Sequence, residues 1–379
     1  MPCAKKADLL TSLISSKNQV GEIRALTGLR GIAALYVIIL HYFAPLPLTT
    51  HLLCFLGHGY LAVDLFFTLS GFVLALNYAD RFASRFDISG YVTFLCRRFG
   101  RIYPLYLFSL LAATILVERG LLPLYGRSIS ATFWSNLFLI QNWGNWASMD
   151  FPAWSISVEW CAYLLFPLLL KLPTRSVRGM WSVALLCTLS LCGVTLFSYT
   201  HAGWPKLLDK GSGFPSLVRC VTEFSLGIVA FRISFTPFGE QLKNNFGAPA
   251  SVLLGILVLL AFRGTDLVLA LLFPWLIISL TGRVTPLSRF LGCKPIEYLG
   301  LLSFSLYLIH PLLSSAINFL DQRLKRGEFR HSHTIAVVII LPLLFLCSTV
   351  TFYGIEIPVR RWFHDLLATR RFSKQQIAS

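Results

Sequence analysis

The sequence is short of charge. Of 379 residues only 13% are Asp, Glu, Lys or Arg, about half the share usual in a soluble domain, while 55% are hydrophobic and 14% aromatic. So few charged groups exclude an ordinary water-soluble domain of this size and leave a polytopic membrane protein. Acidic residues are scarcer still, 17 against 33 basic ones. Cysteine patterns are missing as well: nine cysteines are scattered singly, without CxxC spacing or a paired outer framework. Neither a metal site nor disulfides are therefore expected. There is no linker rich in Gly, Ser or Pro, no low-complexity tract and no internal repeat. Many secondary transporters carry such a repeat. No cleavable signal peptide is visible, because residues 1–23 are polar and the first apolar run is long enough to stay as a helix.

What is there is a series of apolar runs, each near the roughly 20 residues that a helix needs to cross the hydrocarbon. Ten can be marked, at 28–45, 59–79, 101–118, 154–171, 180–199, 217–235, 249–263, 266–281, 298–320 and 334–358. The seventh and eighth are short and joined by a tight Arg-Gly-Thr turn. The expected fold is all-α, a membrane helical bundle of about ten transmembrane helices. With both termini cytoplasmic, 23 of the 33 Lys and Arg fall on inner segments, as basic residues retained inside require. Four of the remaining ten crowd into the outer loop DQRLKRGEFRH, the one objection to that orientation. Anionic lipid facing basic inner loops accounts for the net charge of +16 without nucleic acid. The expected organisation is a cytoplasmic segment at 1–23, one membrane domain at 24–365, and a disordered basic tail at 366–379.

An ionisable side chain inside the membrane costs several kcal/mol and is a functional-site hypothesis by default. Counting 1.5 Å per residue from each outer helix end puts His41 about 6 Å down, Asp64 and Glu159 about 8 Å, Glu223 about 9 Å and His310 about 15 Å. Five groups on five helices thus point to a wet cavity in the outer half of the bilayer. His41 sits among Leu, Ile, Tyr and Phe, where an imidazole near carboxylates can serve as a general base. Either Glu159 or Asp64 could orient it. Alternatives stay open: Asp64 could pair with an arginine, Glu223 lies one turn from Arg219 on the same face, and His310 precedes the helix-kinking Pro311.

Facing the cytoplasm, FLCRRFGRIYP places Arg98 and Arg101 on one helical face, where two guanidiniums suit bidentate capture of phosphate. A plain juxtamembrane positive flank is the bland alternative. Arg24 and Arg30 flank the first helix in the same layer. The outer segment QNWGNWASMDFPAW, ending at Trp154, mixes Trp and Asn as a sugar-binding surface would, or as an interfacial aromatic belt would. Arginines at the inner face and His41 toward the outside fit a donor with a phosphorylated head and a thin reactive arm. Coenzyme A has that shape. The rival class is a transporter with the ionisable layer as a proton relay.

The segments RALTGLRGIAALYVIILH, AVDLFFTLSGFVLAL, RRFGRIYPLY, WSISVEWCAYLLFPLL, LGLLSFSLYLIHPL and GIEIPVRRW, in this order, resemble the acyltransferase-3 family of integral-membrane O-acyltransferases, the O-acetylases of bacterial surface polysaccharides. The likeness runs from Arg24 to about Trp362. It implies a ten-helix, multi-pass enzyme of the bacterial inner membrane that takes acetyl-CoA or another acyl-CoA from the cytoplasm. The acceptor would be a hydroxyl of a glycan, an exopolysaccharide or lipid-linked oligosaccharide, at the periplasmic side, with no metal and with homo-oligomerisation open. The resemblance implies that His41 is essential to the chemistry with Asp64 and Glu159 beside it. Arg98 and Arg101, with Arg24 and Arg30, would bind the CoA donor. Ser305, Tyr307 and His310, with Trp154, would line the acceptor side. The chain departs from the family pattern at Thr27, where Asp is usual, and at Trp160 and Cys161, where Glu and Gln are common. It lacks the esterase-like domain that some members append, so transfer is expected to finish within the membrane domain.

Overall fold

The computed structural model describes residues 23–43, 50–82, 87–124, 128–144, 147–202, 208, 213–323 and 339–378. Among these there is helix and turn and no strand. Of the basic outer loop DQRLKRGEFRH that weighed on orientation, all but its first three residues lie outside the described residues. The helices are α1 (Arg24–Phe43), α2 (Thr50–Gly57), α3 (Ala62–Tyr78), α4 (Ile88–Glu118), α5 (Ile129–Leu137), α6 (Trp154–Leu169), α7 (Val177–Ala202) and α8 (Phe214–Ile233). They continue with α9 (Pro237–Asn244), α10 (Ala248–Leu259), α11 (Asp266–Leu280), α12 (Pro286–Leu291), α13 (Lys294–Arg323), α14 (Leu341–Thr351) and α15 (Ile357–Ala378). A 3₁₀ turn, His58–Leu61, joins α2 to α3, and a π-helical turn, Phe352–Glu356, joins α14 to α15.

All ten apolar runs contain helix. Among the described residues seven spans are long and apolar enough to cross a membrane, or eight if α9 and α10, bent by 87°, form one. The shorter apolar α11 and the 16-residue α6 cover the remaining two runs. The bend falls just before the seventh run, where polar NNFG, residues 244–247, ends α9 and AlaProAla starts α10. The stretch expected to be a disordered tail is instead helical to Ala378. After Pro358 it holds no Gly or Pro, and its Arg, Lys and Gln are good helix formers.

Two helix pairs position the site. On α1 and α13, Thr27 lies at Gly300 and His41 at His310, so the two helices run in the same direction. A Cβ on Gly300 would collide with the Thr27 carbonyl, so only glycine permits that approach. On α3 and α8, Gly71 faces the backbone of Phe224 and Gly227 that of Thr68, while Phe72 meets Phe231 farther on. This pair is parallel as well. Both relations agree with the predicted order of crossings, in which first and ninth, and second and sixth, share a direction.

Candidate functional site

At one end of the α1/α13 pair, the His41 and His310 rings lie 5.0 Å apart between centroids. His41 Nδ1 is 2.8 Å from the Val37 carbonyl, which can only accept, so Nδ1 carries the proton and Nε2 the lone pair. His41 is solvent-exposed, with the Phe151 ring edge-on at 5.9 Å. His310 is buried, and its Nδ1 donates to the Tyr307 carbonyl at 2.7 Å. That carbonyl is the acceptor which Pro311, lacking an N–H, leaves without its helical donor. The imidazole therefore takes the place of that missing donor. This again assigns the lone pair to Nε2, which is buried without a hydrogen-bond partner among the described residues. The Tyr42 hydroxyl and the Ser314 hydroxyl both donate to the His310 carbonyl, at 2.8 and 2.9 Å, fixing the register of the two helices.

One turn away, the Tyr307 hydroxyl donates to the Pro152 carbonyl at 3.1 Å and sits 3.0 Å from Ser155 Oγ. Asp64 does not reach for a histidine. Arg219 from α8 grips both of its oxygens, Nε donating to Oδ1 at 2.7 Å and Nη2 to Oδ2. Glu223 Oε1 lies 3.8 Å from the same Nε. Trp154 closes the cluster, its buried ring 5.5 Å from the guanidinium centre, so it packs inward on Arg219.

Glu159 occupies a third level, with the arginines. Its Oε1 accepts from Ser70 at 2.5 Å and from Tyr163 at 2.7 Å. The single ionisable layer expected from helix depth thus separates. The reason is the chain before α6: Gln141, Asn142, Met149 and Asp150 are buried, and Asn142 Nδ2 donates to Ser216 at 2.9 Å. These residues roof the start of α6, which begins inside the bundle instead of at its rim. Gln141 and Asn142 serve the fold; Trp143 alone of the segment's described tryptophans is exposed, and even its Nε1 donates to the Ser157 carbonyl. Asp150 accepts from Ser109, and burial pushes its carboxyl up to about 7.

The arginine end carries Arg98, whose guanidinium lies 5.6 Å from the Tyr78 ring and 3.4 Å from its hydroxyl. Arg97 Nε and Arg98 Nε are buried without hydrogen-bond partners among the described residues. Arg30 is within electrostatic reach of Arg101, Glu159 and Glu356. Glu356, on the π-helical turn, accepts from Ser305 and feels Arg101, Arg360 and Arg30. Ser305 thus lies at this level with Glu356. Arg24 is set apart: it is 58% exposed and pairs with Glu297 at 3.4 Å beside a cavity of about 460 Å³ also lined by Ser288 and Arg289.

Two functional candidates escaped the sequence reading. Glu356 lies in a quoted motif, and its charge in an apolar stretch was the available signal. Arg219 was seen only as a neighbour of Glu223, since pairing across helices with Asp64 leaves no trace in spacing. A second buried cluster, His58 with Asp266 at 3.4 Å and Tyr60 donating to Asp266, ties the 3₁₀ turn before α3 to α11 away from the site. Among the described residues no group of His, Cys, Asp and Glu is placed to hold a metal ion.

The acyltransferase-domain family model matches residues 23–355. The chain is 31% identical to the acyltransferase MdmB of Streptomyces mycarofaciens, over 77% of this chain and 79% of that protein. It is 25% identical to the candidate peptidoglycan O-acetyltransferase YrhL of Bacillus subtilis, over 89% of this chain, and 22% identical to the peptidoglycan O-acetyltransferase OatA of Listeria monocytogenes, over 80%. It spans only about half the length of these two, 55% and 51%. No solved structure matches. With the match covering every level from the arginines to the histidines, and most of the chain besides, this membrane protein belongs to the acyltransferase-3 family and is an acyltransferase.

Proposed function

We propose that the protein is an O-acyltransferase that moves an acetyl group from cytoplasmic acetyl-CoA to a hydroxyl of an exopolysaccharide or lipid-linked oligosaccharide at the periplasmic side of the bacterial inner membrane. The observation that carries this is the division of α1: Arg30 at one level, among Arg101, Glu159 and Glu356, and His41 eleven residues on, about 16 Å along the axis. An anionic head held by Arg30, Arg98 and Arg101 leaves an extended arm to carry the thioester to His41. His41 Nε2 takes the hydroxyl proton as the oxygen attacks the thioester carbonyl. The CoA thiolate leaves and recovers that proton from the imidazolium. Val37 O, not a carboxylate, sets the reactive tautomer. His310 Nε2 accepts a hydrogen bond from an acceptor hydroxyl, and Tyr307 positions His310. Asp64 acts at a distance, through Arg219 and Trp154, and Glu159 with Glu356 sets the charge around the donor arginines.

Orientation follows the basic residues, with α1 entering from the cytoplasm at Arg24. The relatives named for peptidoglycan O-acetylation support a glycan hydroxyl as the acceptor class. The test is label transfer from radiolabelled acetyl-CoA to polysaccharide in membranes carrying the protein. Transfer that persists undiminished in His41→Ala sinks the assignment of the base.

A further inference from the structure

The cluster one level below the histidines has a charge that does not balance. Asp64, Arg219 and Glu223 are each at most 1% exposed. They hold two carboxyls and one guanidinium, so a fully ionised cluster would bury a net negative charge within the membrane. Arg219 donates to Asp64 through Nε and Nη2. Glu223 has a 3.8 Å approach to Nε, and neither of its oxygens has a hydrogen-bond donor among the described residues. An ionised carboxylate so placed would be desolvated without compensation. Among the described residues the charged groups that face Glu223 are Asp64, from α3, and Arg219, from its own helix; the two carboxyls are close enough to act on each other directly. From α6 the cluster meets the Trp154 ring, which brings no cation.

We infer that Glu223 is a proton-binding site: the Asp64 and Glu223 carboxyls share one proton and one guanidinium, with the proton on Glu223. Two carboxyls that compete for a single cation cannot both ionise in a medium of low dielectric. The arrangement makes the cluster neutral, and it lets the Glu223 hydroxyl turn toward Asp64. No group of the cluster touches the reacting atoms in the mechanism above, so proton binding can be read without acyl transfer.

The experiment is infrared difference spectroscopy on the full-length protein in lipid nanodiscs at neutral pH. Glu223→Gln should remove part of the protonated-carboxyl C=O absorption. Asp64→Asn should remove the same part, because Glu223 then ionises as the sole partner of Arg219. In thermal unfolding Glu223→Gln, which has the shape of the protonated acid, should melt with the wild type. A carboxyl band unchanged by Glu223→Gln, or one lost there but kept in Asp64→Asn, overturns the proposal. So does a melting temperature that rises with sodium or lithium in wild type and not in Glu223→Gln, which would place a metal cation where the proton is assigned.

Discussion

The two ends of the α1/α13 pair share these helices and, in the proposed reaction, serve opposite tasks. At one end two imidazoles face each other, each with Nδ1 anchored on a backbone carbonyl, so their tautomers are set without spending a charge. At the other, five arginines, Arg30, Arg97, Arg98, Arg101 and Arg360, are balanced only in part by Glu159 and Glu356. Backbone carbonyls are suited to the first task because a neutral base needs direction, not charge. Guanidiniums are suited to the second because a phosphorylated head needs charge in a fixed fork. The Asp64–Arg219–Glu223 cluster lies between and keeps the ends mechanically joined through α3, α6 and α8.

The largest effect is expected at the histidine end. His41→Ala should lower acyl transfer by roughly 10²–10⁴-fold, as loss of a general base does, with acetyl-CoA binding unchanged. A parallel loss of donor binding would merge the two ends. The joint should break next: Arg219→Met strands two buried carboxyls and should cost about 3–5 kcal/mol of stability, read as a lowered melting temperature in detergent. At the arginine end, Arg98→Ala with Arg101→Ala removes charge-assisted bonds worth about 1.5–3 kcal/mol each. The donor Kd should rise by at least tenfold while the acceptor KM holds; equal changes in both would erase the distinction. The smallest effect concerns Asp150, outside the spans. Its carboxyl is raised by burial to about 7, so between about pH 4 and 7 the folded state holds a proton that the unfolded chain has lost. Stability should therefore fall as pH rises through that window, and Asp150→Asn should flatten the fall in melting curves taken across it.

Much of this was legible in the residues. Ten apolar runs appear as helix because a segment without water must satisfy its own backbone. His41, Arg98 and Arg101 stood out because an ionisable group in an apolar run, or a pair of arginines three apart, is rare enough to notice. Trp154 and Ser305 were harder. Both sit in motifs that point toward a substrate, yet Trp154 packs on Arg219 and Ser305 donates to Glu356. Motif order says which residues occur and not what they touch. Depth failed for Glu159 because counting along α6 assumes that the helix begins at the rim.

By itself, the sequence determined an all-helical membrane acyltransferase with a histidine on its first helix and an arginine pair on a later one. Both follow from periodicity, composition and motif order, which are properties of the chain taken locally. Only the tertiary structure decided the partners: His41 with His310, Asp64 with Arg219, Glu159 with Ser70. Those pairings join residues from 89 to 269 positions apart, brought together where Gly71, Gly227 and Gly300 let backbones touch. No local pattern encodes which of several buried charges meets which, because that choice is made by helix packing and by the requirement that each charge in the membrane be answered.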